Sequence, residues 1–405
     1  MANQKILGSG NTIAAKGAGT TNNFLITGCI QNGNIADNTE TSNKLEFNFN
    51  GTVYNLAVRV IANGTNASST QSIRKNEGAA NGTVTIPLST TGWFTDLVNV
   101  DAFVSGDFLG DQLIVGTGGT LTVNAFNAAC KSNSGNVTIM CSTGGANSPN
   151  DDKYFPVGNE SSPATSDFGN LPVKEATTIS FLTHRITLNN LSTATTTFRS
   201  RKNQANGNQV ITVLAGVSGL VKDSSNSDSL AVDDNFSGRG TTAAGGSGSC
   251  QSYSYTMHLT SASSTTIILA FSDNGSSLPT GTTRYTNLVN RDPVTTEICE
   301  INIFRTVSCT VTNLFGRYRT VGSTNDSTIT FRKDLATSGN LTYVLPASTT
   351  GLYYDTANSD TVGNNAFIAI IYVLGSGSGN DVETDAGVSM ALNDGGGSRS
   401  YATVV

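Results

Sequence analysis

The sequence predicts an all-β protein made of three tandem β-sandwich domains of jelly-roll type. Three observations lead to this prediction. One polar motif recurs three times at a domain-sized period, which indicates a tandem triplication. Short segments alternate apolar and polar residues and are separated by turn signals, as in strands of a sandwich. No segment has the 3.6-residue apolar period of an amphipathic helix.

The repeated motif is Gly-x3-Asp-x2-Asn-x-Asp, and it begins at Gly92, Gly219 and Gly351. An Arg-Lys pair precedes each copy, and the lysines of these pairs are Lys75, Lys202 and Lys333. The period of about 130 residues exceeds that of solenoid and propeller units and matches one whole domain. We therefore predict an N-terminal arm at residues 1–22 and three sandwich repeats at residues 23–131, 132–262 and 263–405.

Strand signals recur within each copy. Leu45, Phe47 and Phe49 alternate with polar residues and lead into Asn50-Gly51, a strong hairpin signal. In the third copy, residues 265–271 are predicted as a strand, and the continuous apolar run 367–373 predicts one that is covered on both faces. Two stretches interrupt the pattern of the second copy. Residues 143–173 form a long polar loop that could carry function, and a Gly/Ser tract occupies residues 238–248.

Composition excludes several classes of protein. Charged residues make up 13% of the chain, about half the usual share, and the net charge is −6 with a pI near 5.0. Without a basic block, nucleic acid is not expected as a partner. No apolar run approaches the length of a membrane helix, so no membrane insertion is expected. Residues 1–8 lack the apolar segment of a secretory signal, which favours synthesis and assembly in a cytoplasm.

A reducing compartment favours free thiols among the six cysteines. Cys130 and Cys141 flank a turn-like segment and could face each other across a hairpin, with a disulfide as the alternative. Cys299 and Cys309 bracket strand-like sequence and are predicted as buried thiols. No pair has the Cys-x2-Cys spacing of a zinc site.

The repeated Asp/Asn cluster is the main candidate site, and it has two interpretations. Asp and Asn side chains can bind their own backbone in turns between strands, which we favour. Alternatively, their oxygens could bind Ca²⁺, although one loop offers few carboxylates and the spacing is not that of an EF-hand. The calcium candidates are Asp96, Asn99, Asp101, Asp223, Asn226, Asp228, Asp355, Asn358 and Asp360. The preferred interpretation predicts no bound metal and no cofactor.

The remaining polar and aromatic features favour a non-enzyme. His184 and His258 lie far apart in sequence, and no nucleophile elbow or metalloprotease motif is present. Each Arg-Lys pair is predicted at a solvated strand end, with an ion pair from its lysine to the first aspartate of the motif as the alternative. Trp93 takes the place of a leucine in the other copies and is predicted in the core. A partner surface could include Phe94, Tyr353 and Tyr354.

The unit formed by Arg-Lys, a Ser-Thr-Thr-Gly turn and the Asp/Asn motif resembles β-sandwich modules of tailed-bacteriophage virion proteins. The resemblance covers residues 74–107 and 332–365, and less completely residues 201–234, where the Ser-Thr-Thr run is missing. It implies a structural or adhesive component of a virion. It supplies no catalytic residues.

The expected function is therefore that of a non-enzymatic phage virion protein, most simply a capsid-bound decoration, cement or head-fibre protein. A tail or spike protein that binds host surface glycan and a bacterial surface adhesion module are the alternatives. The expected partners are capsid-shell proteins and other copies of this chain, and the expected location is the virion. Three similar domains could pack as a triad at local threefold positions of a shell, with residues 1–22 as the anchor.

Overall fold

The computed structural model describes residues 3–9, 13–24, 44–133, 137–143, 145–155, 171–173, 176–261, 277–286, 295, 309–334, 337–362, 368–377, 382–384 and 391–393. These residues form strands, turns and irregular segments, and none of them lies in a helix. The strands assemble into six sheets, and every pairing within them is antiparallel. The prediction of an all-β protein is thus confirmed.

The first copy contributes ten strands to two sheets. These are β1 (Asn3–Ser9), β2 (Ile13–Lys16), β3 (Thr21–Phe24), β4 (Leu45–Glu46), β5 (Gly51–Asn63), β6 (Ser69–Lys75), β7 (Gly78–Ile86), β8 (Gly92–Phe103), β9 (Phe108–Ile114) and β10 (Leu121–Ser132). One sheet has the order β1-β10-β5-β8, with β2 also on β10. The other has the order β3-β9-β6-β7, with β4 also on β9.

The second copy repeats this arrangement strand for strand. Its strands are β11 (Val137–Thr143), β12 (Ala146–Asn147), β13 (Asp152–Phe155), β14 (Leu171–Pro172), β15 (Thr177–Asn189), β16 (Thr196–Lys202), β17 (Ala205–Val213), β18 (Gly219–Leu230), β19 (Asn235–Thr242) and β20 (Cys250–Ser261). The sheet orders are β11-β20-β15-β18 and β13-β19-β16-β17. In both copies, strands that are distant in sequence therefore become neighbours.

The third copy follows the same plan over its described residues. Its strands are β21 (Ser277–Leu278), β22 (Thr283–Thr286), β23 (Cys309–Val321), β24 (Ser327–Lys333), β25 (Thr337–Leu345), β26 (Gly351–Val362), β27 (Ile368–Val373), β28 (Val382–Thr384) and β29 (Ala391–Asn393). One sheet has the order β21-β28-β23-β26, with β29 on β23, and the other has the order β22-β27-β24-β25. The apolar run predicted near 367–373 is β27, which lies between two strands.

Apolar residues of the two sheets of each copy face one another and form its core. In the second copy the largest buried side chains are aromatic and come from both sheets: Phe155, Phe198 and Phe236 from one, and Tyr255 from the other. Burying one such ring removes about 150–250 Å² of surface from water, which is the main source of stability in a sandwich. The facing sheets therefore hold together through aromatic and aliphatic packing.

The N-terminal arm predicted at residues 1–22 is docked on the first copy wherever the structure describes it as strand. Residues 3–9 pair with β10 along their whole length, and residues 13–16 also contact β10. Thr21–Phe24 pairs with β9 in the other sheet. The segment has no hydrophobic periodicity, but strands β10 and β9 offer unpaired backbone donors and acceptors that it completes. These residues consequently belong to the sheets of the first copy.

The first part of the Gly/Ser tract of the second copy lies in β19, which ends at Thr242, and the rest of the tract follows the strand. Gly238 and Gly240 lie under large aromatic rings of the core. A Cβ atom on Gly240 would come within 2.9 Å of the rings of Phe155 and Phe198. In the other copies the positions of these two glycines carry side chains, Asp111 and Leu113 in β9 and Ile370 and Tyr372 in β27.

The predicted hairpin between Cys130 and Cys141 is also wrong. Cys130 lies in β10 and Cys141 in β11, and these strands belong to different sheets. Cys130 and Cys250 are buried, and neither forms a disulfide with another described residue. The strand predicted at 265–271, Cys299 and residues 156–170 of the polar loop lie outside the described residues.

Candidate functional site

The repeated Asp/Asn motif lies inside an edge strand. The prediction that it forms a turn between strands is wrong. The motif occupies the same positions of β8, β18 and β26, which share one pattern of burial. In the first copy, Leu56 pairs with Asp96 and Tyr54 with Val100, so three residues of β8 stand opposite Asn55 alone. Asn55 is left-handed, with φ of 53°. The motif therefore builds a β-bulge in an edge strand.

The first aspartate of the motif closes this bulge with its carboxylate. Asp96 Oδ1 accepts hydrogen bonds from the backbone N–H groups of Val98 and Asn99, both at 3.1 Å. Asp96 Oδ2 accepts from Asn99 Nδ2 at 2.8 Å and from the backbone N–H of Thr83 at 2.9 Å. Thr83 lies in β7, the edge strand of the opposite sheet, so this carboxylate links the two sheets.

The other copies repeat these contacts with nearly the same distances. Asp223 accepts from the backbone N–H of Val210 at 2.8 Å, and Asp355 accepts from that of Thr342 at 2.9 Å. The Asn side chains contribute equally, because Asn226 and Asn358 each donate to their aspartate at 2.9 Å. All four polar contacts of the first aspartate are therefore common to the three copies.

The second aspartate of the motif binds the same opposite strand. Asp101 accepts from the backbone N–H groups of Asn81 at 2.6 Å and Gly82 at 2.7 Å. Asp360 accepts from those of Asn340 and Leu341, both at 2.9 Å. In the second copy, Asp228 accepts from the backbone of Asn208 and from the Ser200 hydroxyl. We call each pair of aspartates an aspartate clamp.

The charge state of the clamp follows from these contacts. Burial raises the pKa of the first aspartate in each copy, but the hydrogen bonds from side-chain and backbone N–H groups outweigh it and lower the pKa below the ordinary value. The ionised carboxylates are therefore the stable form near neutral pH. Charge-assisted hydrogen bonds of this kind are roughly twice as strong as neutral ones.

The lysine of each Arg-Lys pair does not bind the first aspartate of its motif. Lys75 Nζ donates to the carbonyl oxygen of Ala102 at 2.9 Å, and Lys202 Nζ donates to that of Ser229 at 2.7 Å. Lys202 also forms an ion pair with Asp234 at 2.8 Å. These two lysines thus donate hydrogen bonds to backbone carbonyl groups near the end of the motif strand.

The clamp oxygens already accept several N–H donors, which leaves fewer lone pairs for a cation. Among the described residues, no three side chains of His, Cys, Asp or Glu are grouped as metal ligands. The arrangement is suited to holding two edge strands together. We assign the aspartate clamp a structural role on these contacts.

Replacing Asp223 by Ala should destabilise the protein, because partly buried N–H groups of β17 and β18 lose their charged acceptor. The expected loss is roughly 2–4 kcal/mol in the free energy of unfolding, measured by urea denaturation near pH 7. The control is Ser224→Ala, an exposed neighbour in the same bulge, which should change stability by less than about 0.5 kcal/mol. Equal effects of the two substitutions would contradict the clamp.

Removing divalent cations with a chelator should leave the thermal midpoint within about two degrees. A calcium site whose free ligand is at 100 times its dissociation constant would contribute about 2.7 kcal/mol, a shift of several degrees in the thermal midpoint. A large chelator effect that Ca²⁺ reverses would favour the calcium interpretation.

Lowering the pH, in contrast, should destabilise the protein. Because the folded pKa of the first aspartate is lowered, its stabilisation is present above the unfolded pKa near 4 and is lost as pH falls through the folded pKa.

The predicted aromatic surface is only partly exposed. Phe94 and Tyr353 are half-buried and pack against a core cluster that includes residues of both the first and third copies. Trp93 is half-buried as well. Tyr354 is 53% exposed and is the open member of the group.

Side chains connect the copies to one another. Lys222 of the second copy forms an ion pair at 2.6 Å with Glu46 of the first, a carboxylate that is nearly buried. The ring of Phe49 in the first copy contacts His258 of the second, with centroids 6.0 Å apart. Phe315 of the third copy is buried in the core cluster of the second, and Leu352 packs against the same cluster. The three copies therefore share packed contacts.

Both histidines are packing residues. His184 stacks on Phe198 at 3.8 Å between centroids, its Nδ1 lies 3.0 Å from the Ser252 hydroxyl, and burial lowers its pKa to about 3. It is therefore neutral at physiological pH. His258 is buried against the ring of Phe181.

Asp111 is a buried acid that sequence reasoning missed. It lies in β9 and faces the core, at the position that Gly238 and Ile370 take in the other copies. Burial raises its pKa to about 7, although Gln71 and the backbone of Gln112 act in the opposite direction. A single Asp in an alternating strand carries no sequence signal of its depth, so only the packing reveals it.

Replacing Asp111 by Asn should flatten the pH dependence of stability. The folded pKa near 7 exceeds the unfolded value near 4, so Asp111 lowers stability as pH rises between these values, by about 1.4 kcal/mol per pH unit. At pH 8 the variant should exceed the original protein in thermal midpoint. Asp107→Asn is the control, and its effect on the pH dependence of stability should have the opposite sign. Burial opposes the shift, but hydrogen bonds and the charge of Lys75 outweigh it and lower the pKa of Asp107. Parallel curves for the Asp111 variant and the original protein from pH 5 to 8 would contradict this assignment.

In the part of the chain that the structure describes, no helix has the length and apolar character needed to cross a membrane. The chain matches no known protein-family model, and no curated protein is significantly similar to it. The proposed function therefore rests on the fold and on the contacts within the chain.

Proposed function

We propose that this chain is a non-enzymatic structural protein of a phage virion, made of three jelly-roll domains and bound to the capsid shell. The sheet orders support the fold. In the two sheets of the first copy, the orders β1-β10-β5-β8 and β3-β9-β6-β7 support a jelly roll, and the second copy has the corresponding orders. Capsid and lectin domains commonly use this architecture.

The observation that carries the proposal is the packing of the three copies against one another. The second copy contacts the first through Lys222, and the third contacts the second through Leu352. These residues lie on the motif strands β18 and β26. Phe94, on the motif strand of the first copy, packs against the cluster that the first and third copies share. Three similar domains linked in this cyclic way resemble a trimer fused into one chain, which suits a threefold position of a shell.

The chemistry of the described residues is consistent with assembly and binding. The aspartates of the clamp are engaged with backbone N–H groups, and both histidines are buried against aromatic rings. The strands of the N-terminal segment complete the sheets of the first copy, so this segment is not the anchor to the capsid shell. The outer surfaces of the three copies contact the shell instead.

Cryo-electron microscopy of whole particles tests the assignment. Density for three jelly-roll domains should lie on the capsid shell, near a threefold or local threefold position. Location at the tail tip would overturn the capsid assignment. Turnover of a polysaccharide by the purified chain would overturn the non-enzymatic part.

The contact between copies can be tested separately with a charge swap. Lys222→Glu should place two carboxylates together at the contact of the first and second copies, and so weaken attachment to particles. The double variant Lys222→Glu with Glu46→Lys restores opposite charges and should recover attachment. The double variant has the net charge of the original protein, so recovery of attachment would separate the effect of this contact from that of net charge. No difference among these variants in particle binding would contradict a fixed triad.

A second candidate function is adhesion to host surface glycan by a tail or spike protein. It is favoured by one feature, a group of arginines around an aromatic ring on the second copy. A bacterial surface adhesion module would share that feature. The location of the protein on particles separates these alternatives from the capsid proposal.

A further inference from the structure

One face of the second copy carries a cross-strand row of cationic and aromatic side chains. Tyr154 of β13 pairs with Arg239 of β19, and Arg239 pairs with Arg199 of β16. Their sequence neighbours Phe155 and Phe198 are buried in the core. Because side chains alternate between the faces of a strand, Tyr154, Arg239 and Arg199 lie on the outer face.

Two guanidinium groups are held over the ring of Tyr154. The Cζ atoms of Arg201 and Arg239 lie 5.5 and 5.6 Å from its centroid, within range of a cation–π contact. Arg239 is fixed by a two-point contact with Asp152, with Nε–Oδ1 at 2.7 Å and Nη2–Oδ2 at 2.6 Å. Arg201 donates to Asn206 Oδ1 at 2.8 Å. The ring and both cations are therefore held in place before any ligand arrives.

Positive charge exceeds negative charge in this row. Three arginines are accompanied by Asp152, and none of the described acidic side chains forms an ion pair with Arg199. Neighbouring like charges on a sheet destabilise it, so the cluster costs stability. It also stands out in a chain of net charge −6.

The other two copies show that the fold does not require this cluster. In the first copy, the same row is Asn23, Gln112 and Ser72, and in the third it is Tyr285, Ile371 and Thr330. The backbone pairing is equivalent in all three copies. The arginines at 199 and 239 are therefore a feature of the second copy alone.

We propose that this face binds an acidic saccharide. A guanidinium presents a planar pair of donors that matches a carboxylate or sulfate group, and Arg199 is the donor for that group. Tyr154 and the fixed Arg239 form the surface against which the sugar ring packs. The inference rests on this face alone and holds wherever the protein lies on a particle.

The test is calorimetric titration of the full chain with three probes. They are an oligosaccharide that ends in N-acetylneuraminic acid, the same oligosaccharide without that sugar, and sodium sulfate alone. The acidic oligosaccharide should bind, and Arg199→Gln should weaken its binding at least about tenfold, the effect of losing one charged contact. Arg284→Gln, which removes one charge from the corresponding sheet of the third copy, should leave binding unchanged.

Circular dichroism and the thermal midpoint establish whether the variants are folded. Tyr154→Leu is a further variant, which removes the aromatic ring without changing the charge. It should also weaken binding. The proposal is overturned if the neutral oligosaccharide binds as well as the acidic one, if sulfate alone binds as tightly, if no probe binds, or if Arg199→Gln binds like the original protein.

Discussion

The structure of each copy depends on hydrogen bonds from backbone amides of one sheet to aspartate side chains of the other. Two facing sheets are joined in their interior by apolar packing, which has no direction. At the open edge, β7 and β8 belong to different sheets, and Asp96 and Asp101 of β8 accept amides of β7. Because these bonds are directional, they fix the offset of the sheets as well as their spacing. Corresponding contacts in β18 and β26 explain why the two aspartates recur in all three copies.

The bulge that the first aspartate closes also protects the edge strand. An unpaired edge offers backbone groups to any other strand, and a bulge with local capping removes part of that template. The bulge leaves its residues exposed, and here the copies differ. Leu97 and Val98 in the first copy correspond to Ser224 and Ser225 in the second, with Val98 86% exposed. The contacts that build the strand are thus constant, whereas its outer surface is free to change.

Divergence among the copies follows their neighbours in the same way. The residue before the first aspartate is Thr95, Lys222 or Tyr354, and the lysine is the one that binds Glu46 of the first copy. On the outer sheet face, the equivalent row is polar in the first copy, contains two arginines and a tyrosine in the second, and mixes Tyr, Ile and Thr in the third. A triplicated chain can specialise each surface in this manner without disturbing its clamps. Such specialisation is unavailable to a homotrimer, whose three surfaces are identical.

The sequence by itself determined the all-β class, the three-copy period and the preference of the aspartates for backbone partners, because these depend on local alternation and on short polar side chains. The sequence pattern placed the motif in a turn. Spacing within ten residues cannot show that the backbone N–H of Thr83, which lies in another strand, donates to Asp96. Only the tertiary structure showed that residues 3–9, 13–16 and 21–24 are strands, because these residues have no hydrophobic periodicity and pair with the edges of β10 and β9. The depth of Asp111 and the row through Arg199 also arise from pairing between distant strands. Contacts of this range are set by how the sheets pair, and local pattern carries no record of them.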